Sequence, residues 1–303
     1  MRELTSLTLG IFLLIGLGAF LKRIGLLKFE DRNALNDLII FIMLPALIFT
    51  AARSIPFSVS LINISAIALG ISLLSVGIGW AAAKAMRLQG ATLGAFMLAS
   101  GVGNTGYLGY PMAQYLFGRQ HLVKAVFYDM FGTVVVLFTL GIYFANKYGT
   151  GTTSAWRQGF AYATPNLAGL ALGFATQSIT LPTPINLAIN SLAQATTAVI
   201  MLSIGVSLSG RFKHAYLPIL VLSTLKLLLV PILAIGVGIL ITLPSTALGV
   251  TVLQASMPIA LMTFVIGDKY NLDREFLSGA ILVSTVASMV TIPIWQRIVS
   301  SLI

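Results

Sequence analysis

The sequence predicts an all-helical integral membrane protein: ten transmembrane helices, arranged as two five-helix halves inverted relative to each other, with the fourth and ninth helices broken. Three observations carry this. Of 303 residues, 57% are hydrophobic and only 9% are charged, whereas an ordinary soluble domain carries about 25% charged residues, so the chain cannot clothe a water-facing globule. Apolar stretches long enough to cross roughly 30 Å of hydrocarbon, about 18 residues or more, recur along the whole chain. Helix-breaking residues gather at matching places in two of these stretches.

In chain order the apolar runs are 4–21, 34–52, 60–83, 91–117, 122–145, 160–180, 185–208, 215–243, 247–266 and 276–296. The first has no basic segment before it and no A-x-A site after it, only Lys22 and Arg23, so it reads as a retained helix and not a signal peptide. The sixth tolerates Pro165 because a first-turn N–H has no intrahelical partner. The longest hydrophilic connection, Asn146–Gln158, falls between the fifth and sixth runs and divides the chain into repeats 1–145 and 159–303. With five spans in each half, related halves must be inverted in the membrane, an arrangement recurrent in secondary transporters. Basic residues set the orientation. Twelve Lys and Arg lie in the loops after helices one, three, five, seven and nine, and five on the other side, which puts those loops in the cytoplasm and both termini outside. The expected location is the plasma membrane, the inner membrane of a bacterium. Trp80 and Trp156 then fall at the cytoplasmic interface and Trp295 at the outer one.

The fourth run carries glycines at 101, 103, 106 and 109 around Asn104 and Thr105, followed by Pro111. Such a density costs a helix several kcal/mol, on the order of 1 per Gly and 3 per Pro, so its centre is expected to unwind. In the ninth run Gln254, Ser256, Pro258 and Thr263 hold the corresponding place. Backbone groups freed at mid-membrane must face protein, water or a ligand, and paired interruptions point to a transport site. Pro111 and Pro258 suit the first position of each second half-helix, whose exposed N–H groups favour an anionic group. The substrate is expected to meet Asn104, Thr105, Gly106, Tyr107 and Pro111 on the first interruption, and Gln254, Ser256, Pro258, Met262 and Thr263 on the second. The plainer alternative is that these residues only kink and pack the helices.

GNTGYLGYPMAQYLFG (103–118) and SMPIALMTFVIGDKYN (256–271) resemble the auxin efflux carrier family, which includes plant PIN carriers and bacterial permeases of organic acids. Asn36 with Pro45, Tyr128-Asp129, and Lys226 with Pro231 extend the resemblance over most of the chain. It implies crossing broken helices and an elevator-type transporter, with helices one, two, six and seven as scaffold and helices three to five and eight to ten as the moving transport domain. Thr263 stands where PIN carriers have a second proline, their long cytoplasmic loop is here a short linker, and their acid–lysine pair on helix three is absent.

Two charges fall deep inside the predicted spans, away from their ends. Asp129 lies roughly 10 Å into helix five at 1.5 Å per residue, and Lys226 near the middle of helix eight. Intramembrane ionisable groups are functional candidates by default, so both are assigned to proton or ion coupling, with each other as partners. Structural pairing of Asp129 and snorkelling of Lys226 are the alternatives. Asp37 reads as dipole compensation at the start of helix two, and His121 and His214 as solvated loop residues.

The function expected is secondary transport, by alternating access, of a small organic anion: an auxin-like carboxylate or a dicarboxylate. H⁺ or Na⁺ would be the coupling ion, the bilayer the surrounding partner and a homodimer the candidate assembly. Neither nucleic acid nor an enzymatic reaction is expected. Without cysteine there is no thiolate metal site or catalytic thiol, and no metal or cofactor is called for. Direct ATP coupling lacks a Walker A sequence. The rivals are a sodium-coupled carrier of the bile-acid type, a channel or sensor on the same scaffold, and an intramembrane aspartyl protease pairing Asp129 with Asp268.

Overall fold

The computed structural model describes residues 2–28, 30–151, 155–208 and 216–302, and among these the secondary structure is helical throughout except for one isolated antiparallel bridge, Gly103 to Ile259. The basic residues Arg211 and Lys213, together with His214, lie outside the described residues, as does 152–154 of the linker. The side chains of Arg2, Trp156 and Arg157 are likewise outside them.

We number the helices α1 (Arg2–Arg23), α2 (Asp31–Ala52), α3 (Val59–Ala85), α4a (Gly90–Ser100), α4b (Gly109–Phe117), α5 (Arg119–Tyr148), α6 (Ala155–Ala175), α7 (Thr183–Ser207), α8 (Tyr216–Leu240), α9a (Ser245–Ala255), α9b (Leu261–Lys269) and α10 (Arg274–Leu302). Six of them, α2, α3, α5, α7, α8 and α10, are long and apolar enough to cross a membrane. The protein is therefore an all-helical integral membrane protein with several long apolar spans, the coarse class that its composition predicts.

Small residues set which helices pack together, because they let backbones approach where lipid supplies no hydrophobic drive for association. A Cβ on Gly169 of α6 would stand 2.6 Å from the Pro45 carbonyl oxygen of α2, and one on Gly173 would stand 2.7 Å from that of Phe49. Gly18 of α1 and Gly205 of α7 lie in the same way against each other's helix backbones. These contacts pair α2 with α6 and α1 with α7, and the Thr196 hydroxyl of α7 bonds the Met43 carbonyl of α2 at 3.2 Å, joining the two pairs. The buried core of the four includes Ile15, Leu47, Ile48, Ile200 and Met201. Elsewhere, Gly132 of α5 abuts Ala68 of α3, and Gly79 of α3 abuts Ser100 of α4a. A second core gathers Phe96, Leu98, Leu222, Phe276 and Leu277 from α4a, α8 and α10.

Prolines inside the apolar helices leave carbonyls to be satisfied from outside the helix. Pro231 of α8 has no N–H to offer the Leu227 carbonyl four residues earlier, and the stretch Leu225–Leu229 just before it widens into a π-type turn. The Trp295 indole N–H of α10 fills the vacancy, donating to the Leu227 carbonyl at 2.7 Å. This corrects the expectation for Trp295. It is no interfacial belt residue but is buried in a third core with Ile64, Ile71 and Leu225. An indole takes the buried place because its N–H reaches an acceptor there. Trp80, by contrast, is exposed, with the Lys84 ammonium 3.7 Å from its ring centroid.

Trp295→Phe is expected to lower stability by about 1–3 kcal/mol by orphaning a buried carbonyl. Pro231→Ala restores an N–H to the Leu227 carbonyl, so the same Trp295→Phe change should cost less in that background. Thermal unfolding of the two single variants and the double variant in one detergent measures the coupling, and strict additivity would show that the bond does not satisfy that carbonyl.

Candidate functional site

The two interruptions meet each other. Between α4a and α4b the chain runs extended through Gly103, and between α9a and α9b through Ile259, and the two stretches pair antiparallel. The Asn104 N–H donates to the Pro258 carbonyl at 2.7 Å and the Ala260 N–H to the Val102 carbonyl at 3.4 Å. The Ile259 N–H finds the Ser284 hydroxyl of α10 at 3.1 Å. Backbone groups that lipid could not satisfy are thus satisfied largely by one another.

Close approach, beyond weak helix propensity, explains why the first interruption is so rich in glycine. A Cβ on Gly101 would stand 2.5 Å from a Val76 methyl, and one on Gly106 3.3 Å from an Asp129 carboxylate oxygen. A Cβ on Gly109 would collide with the Gln254 carboxamide. Gln254 in turn donates to the carbonyls of Thr105 at 3.2 Å and Ala125 at 3.1 Å, tying α9a to the first interruption and to α5.

The proline placement differs from expectation. Pro111 is the third residue of α4b, which begins at Gly109 because the chain is already turning where the N–H groups of Leu108 and Gly109 reach the Asn104 carbonyl. Pro258 lies before α9b altogether. Its carbonyl is engaged in the extended pairing, so the helix cannot begin until Leu261.

A cavity of about 110 Å³ opens beside this pairing. It is mostly apolar, with Gly106 of the first interruption and Met262 of α9b on its wall, and its polar wall comes from several elements: Asn104 and Tyr107 of the first interruption, Tyr110 of α4b, Asp129 and Thr133 of α5, Asn36 of α2 and Asn166 of α6. Asn104 is 4% exposed and its carboxamide makes no hydrogen bond among the described residues. Asn166 is 6% exposed and its side-chain oxygen also lacks a partner. Buried polar groups are almost always paired, so two carboxamides without partners on one cavity wall suit a polar ligand. Asn36 is more firmly held, its side-chain oxygen accepting from the Ser203 hydroxyl at 2.8 Å and the Tyr107 hydroxyl at 3.3 Å.

Asp129 is buried, at the start of a π-type turn (Asp129–Thr133). Thr105 donates to one of its carboxylate oxygens and the Tyr110 hydroxyl to the other, the latter at 2.7 Å. The expected Asp129–Lys226 pair is not formed. Lys226 is buried in the π-type turn of α8, and no ion pair or hydrogen bond joins it to Asp129. Asp268 is 40% exposed and ion-paired with Arg274 at 2.5 Å, so the two aspartates of the protease alternative keep separate partners. His121 lies in the first turn of α5, half-buried with its ring nitrogen 3.0 Å from the Lys124 ammonium.

The residues singled out in the sequence therefore divide. Asn104, Gly106, Tyr107, Met262 and Asp129 line the cavity. Thr105 reaches it through Asp129, and Gln254 braces the crossing. Ser256 and Thr263 turn their hydroxyls back to the carbonyls of Leu253 and Ala260. Pro111, Pro258 and Lys226 are not on the cavity wall. Sequence reasoning did not assign Asn36, Tyr110 or Asn166 to the site. An asparagine within the apolar run of α6, where it must find a polar partner, was the available signal for Asn166.

The family model described as "Membrane transport protein" matches residues 5–154 and 152–296. An uncharacterized transporter of Methanothermobacter thermautotrophicus is 31% identical over 296 residues, covering 96% of this chain and 97% of that protein. Another, from Methanocaldococcus jannaschii, is 30% identical over 296 residues, covering 94% and 95%. With the paired interruptions and the cavity beside them, these whole-length matches place the chain in the membrane transport protein family, the auxin efflux carriers.

Proposed function

We propose that the chain is a secondary carrier that moves a small organic anion across the membrane by alternating access, with the cavity at the crossing as its substrate site. The observation that carries this reading is the pair of carboxamides without partners, Asn104 and Asn166, on one cavity wall. A carboxamide can give an N–H to a carboxylate oxygen or accept a hydroxyl. The cavity takes its wall from helices of both halves of the chain, as expected for a site between inverted repeats 1–145 and 159–303.

In this reading the glycine-packed pairs α2–α6 and α1–α7, which meet where α7 bonds α2, form the scaffold, and α3–α5 with α8–α10 move against it in the manner of an elevator. Asn36 and Asn166 belong to the scaffold, and Asn104 and Asp129 to the moving part. The Tyr107–Asn36 hydrogen bond crosses the boundary and is broken and remade in each cycle. The twelve-to-five distribution of basic residues gives an orientation with both termini outside the plasma membrane.

No Lys, Arg or His lines the cavity among the described residues. An anion there faces Asp129 with no counter-charge, an arrangement that a low-dielectric site penalises strongly. We therefore assign the coupling proton to Asp129 itself and not to an Asp129–Lys226 pair: protonation removes the repulsion as the anion enters. Thr105 and Tyr110, which donate to the carboxylate, fix its position on the cavity wall.

The test is uptake of labelled acetate, lactate, succinate, malate and indole-3-acetate into proteoliposomes under separately imposed pH, sodium and voltage gradients. Saturable uptake of one acid driven by a pH gradient is the expected result, and no uptake of any acid by folded protein would move the assignment to a different substrate class or to a sensor. Asn104→Ala should abolish uptake without lowering thermal stability, because its carboxamide holds nothing else in the protein; normal uptake by this variant would remove the crossing from the mechanism. Asp129→Asn should lose the response to the pH gradient but still exchange internal for external substrate. An unchanged response would take Asp129 out of the coupling.

A further inference from the structure

A second, smaller cavity of about 30 Å³ adjoins the central one, with Asn36, Leu261 and Val265 forming walls of both. Its remaining polar wall is Arg32 at the start of α2, Ser207 at the end of α7 and Ser278 of α10. The guanidinium carbon of Arg32 stands 5.3 Å from the ring centroid of Phe264 on α9b. Lys22 reinforces the positive charge of this mouth, its ammonium donating to the Leu208 carbonyl at the end of α7. Glu30 and Asp268 offset the Arg32 charge in part, but Asp268 is itself bound to Arg274.

The charges of the two cavities are complementary in sequence. Among the described residues the central cavity has an acid and no base, so it offers an approaching anion hydrogen-bond donors but no opposite charge. The adjoining cavity has a guanidinium and two seryl residues on its wall, donor types that suit a carboxylate.

We propose that the Arg32 cavity is a carboxylate-binding anteroom, in which the guanidinium and the hydroxyls of Ser207 and Ser278 hold the substrate between water and the central cavity. The proposal rests on reading the chain as an organic-anion carrier and adds a second binding site to it. The anteroom is built half from α2 and α7 and half from α9b and α10. Movement of the second pair against the first takes it apart, so the site serves substrate on the Arg32 face only. At 30 Å³ it has room for little more than a water or two, so substrate entry requires the Phe264 ring to swing from beneath Arg32. The ring is half-buried at the cavity edge, and its release from the guanidinium forfeits about 0.5–1 kcal/mol.

Two measurements test this. In the first, phenylglyoxal labelling of Arg32 in the unmodified protein is followed by mass spectrometry with lactate, succinate or indole-3-acetate present, and with the corresponding amides as uncharged controls. Protection of Arg32 by a carboxylate but not by its amide is expected. Equal labelling with and without every carboxylate overturns the anteroom, whatever the transport assays give. Protection in a protein that carries none of the acids supports the anteroom and sinks the carrier reading instead.

In the second, the half-saturating concentration of the transported acid is measured from each face of oriented proteoliposomes. Arg32→Gln should raise it about tenfold from the Arg32 face, the scale of a charged hydrogen bond, and leave the opposite face unaltered. Arg32→Lys should recover most of the loss. An equal change from both faces, or none from either, overturns the assignment.

Discussion

Everything in this protein is arranged around a backbone pairing that lipid makes obligatory. Unwinding a helix at mid-membrane exposes N–H and C=O groups that hydrocarbon cannot solvate, at several kcal/mol each. Two such breaks, one in each half of the chain, answer each other: Asn104 N–H to Pro258 C=O, and Val102 C=O to Ala260 N–H. That pairing fixes the position of four half-helix ends and holds the chain around Asn104 extended. It also leaves little room for a side chain at 106 and none at 109, where the Asp129 carboxylate and the Gln254 carboxamide come close. A side chain at 109 would push Gln254 away from the carbonyls of Thr105 and Ala125 and loosen the crossing from α5.

The same demand governs the unbroken helices. Pro231 leaves the Leu227 carbonyl without its intrahelical donor, and a tryptophan from α10 supplies one. The polar residues of the apolar spans are therefore of two kinds. Some, such as Thr196, Thr251 and Ser256, turn back to carbonyls of their own helices. Others are held toward the cavity with hydrogen-bonding capacity left over, as Asn104 and Asn166 are. Low dielectric makes such residual capacity expensive unless something polar occupies the cavity, and this gives a transport reading its physical content.

The division of labour between the cavities follows from charge. In the proposed carrier, an acid whose charge a proton removes would be the switch, and the Arg32 guanidinium of the adjoining cavity would supply the attraction at a distance from it. Asn36 lies on the wall between the two cavities and accepts from Ser203 and Tyr107. It therefore touches the fixed and the moving parts of the proposed carrier at the point where substrate passes.

By itself the sequence determined the class of environment and the places where helices cannot continue. Both are local properties: a chain with 9% charged residues must be solvated by lipid, and the glycines at 101, 103, 106 and 109 or a proline at 258 weaken a helix whatever surrounds them. It also drew attention to Asn104 and Asp129, because polar groups in apolar runs are conspicuous. What it could not carry was which distant segment satisfies which group. Tyr110 looks like one more aromatic in an apolar run until its hydroxyl meets Asp129, and Trp295 looks interfacial until Pro231 orphans the Leu227 carbonyl beside it. Lys226 and Asp129 look like a pair until each is found among different neighbours. Pro258 looks like the start of a helix until its carbonyl is claimed by Asn104. In each case the partner lies on another helix, and only the tertiary structure decides which groups come within the roughly 3 Å over which a hydrogen bond acts.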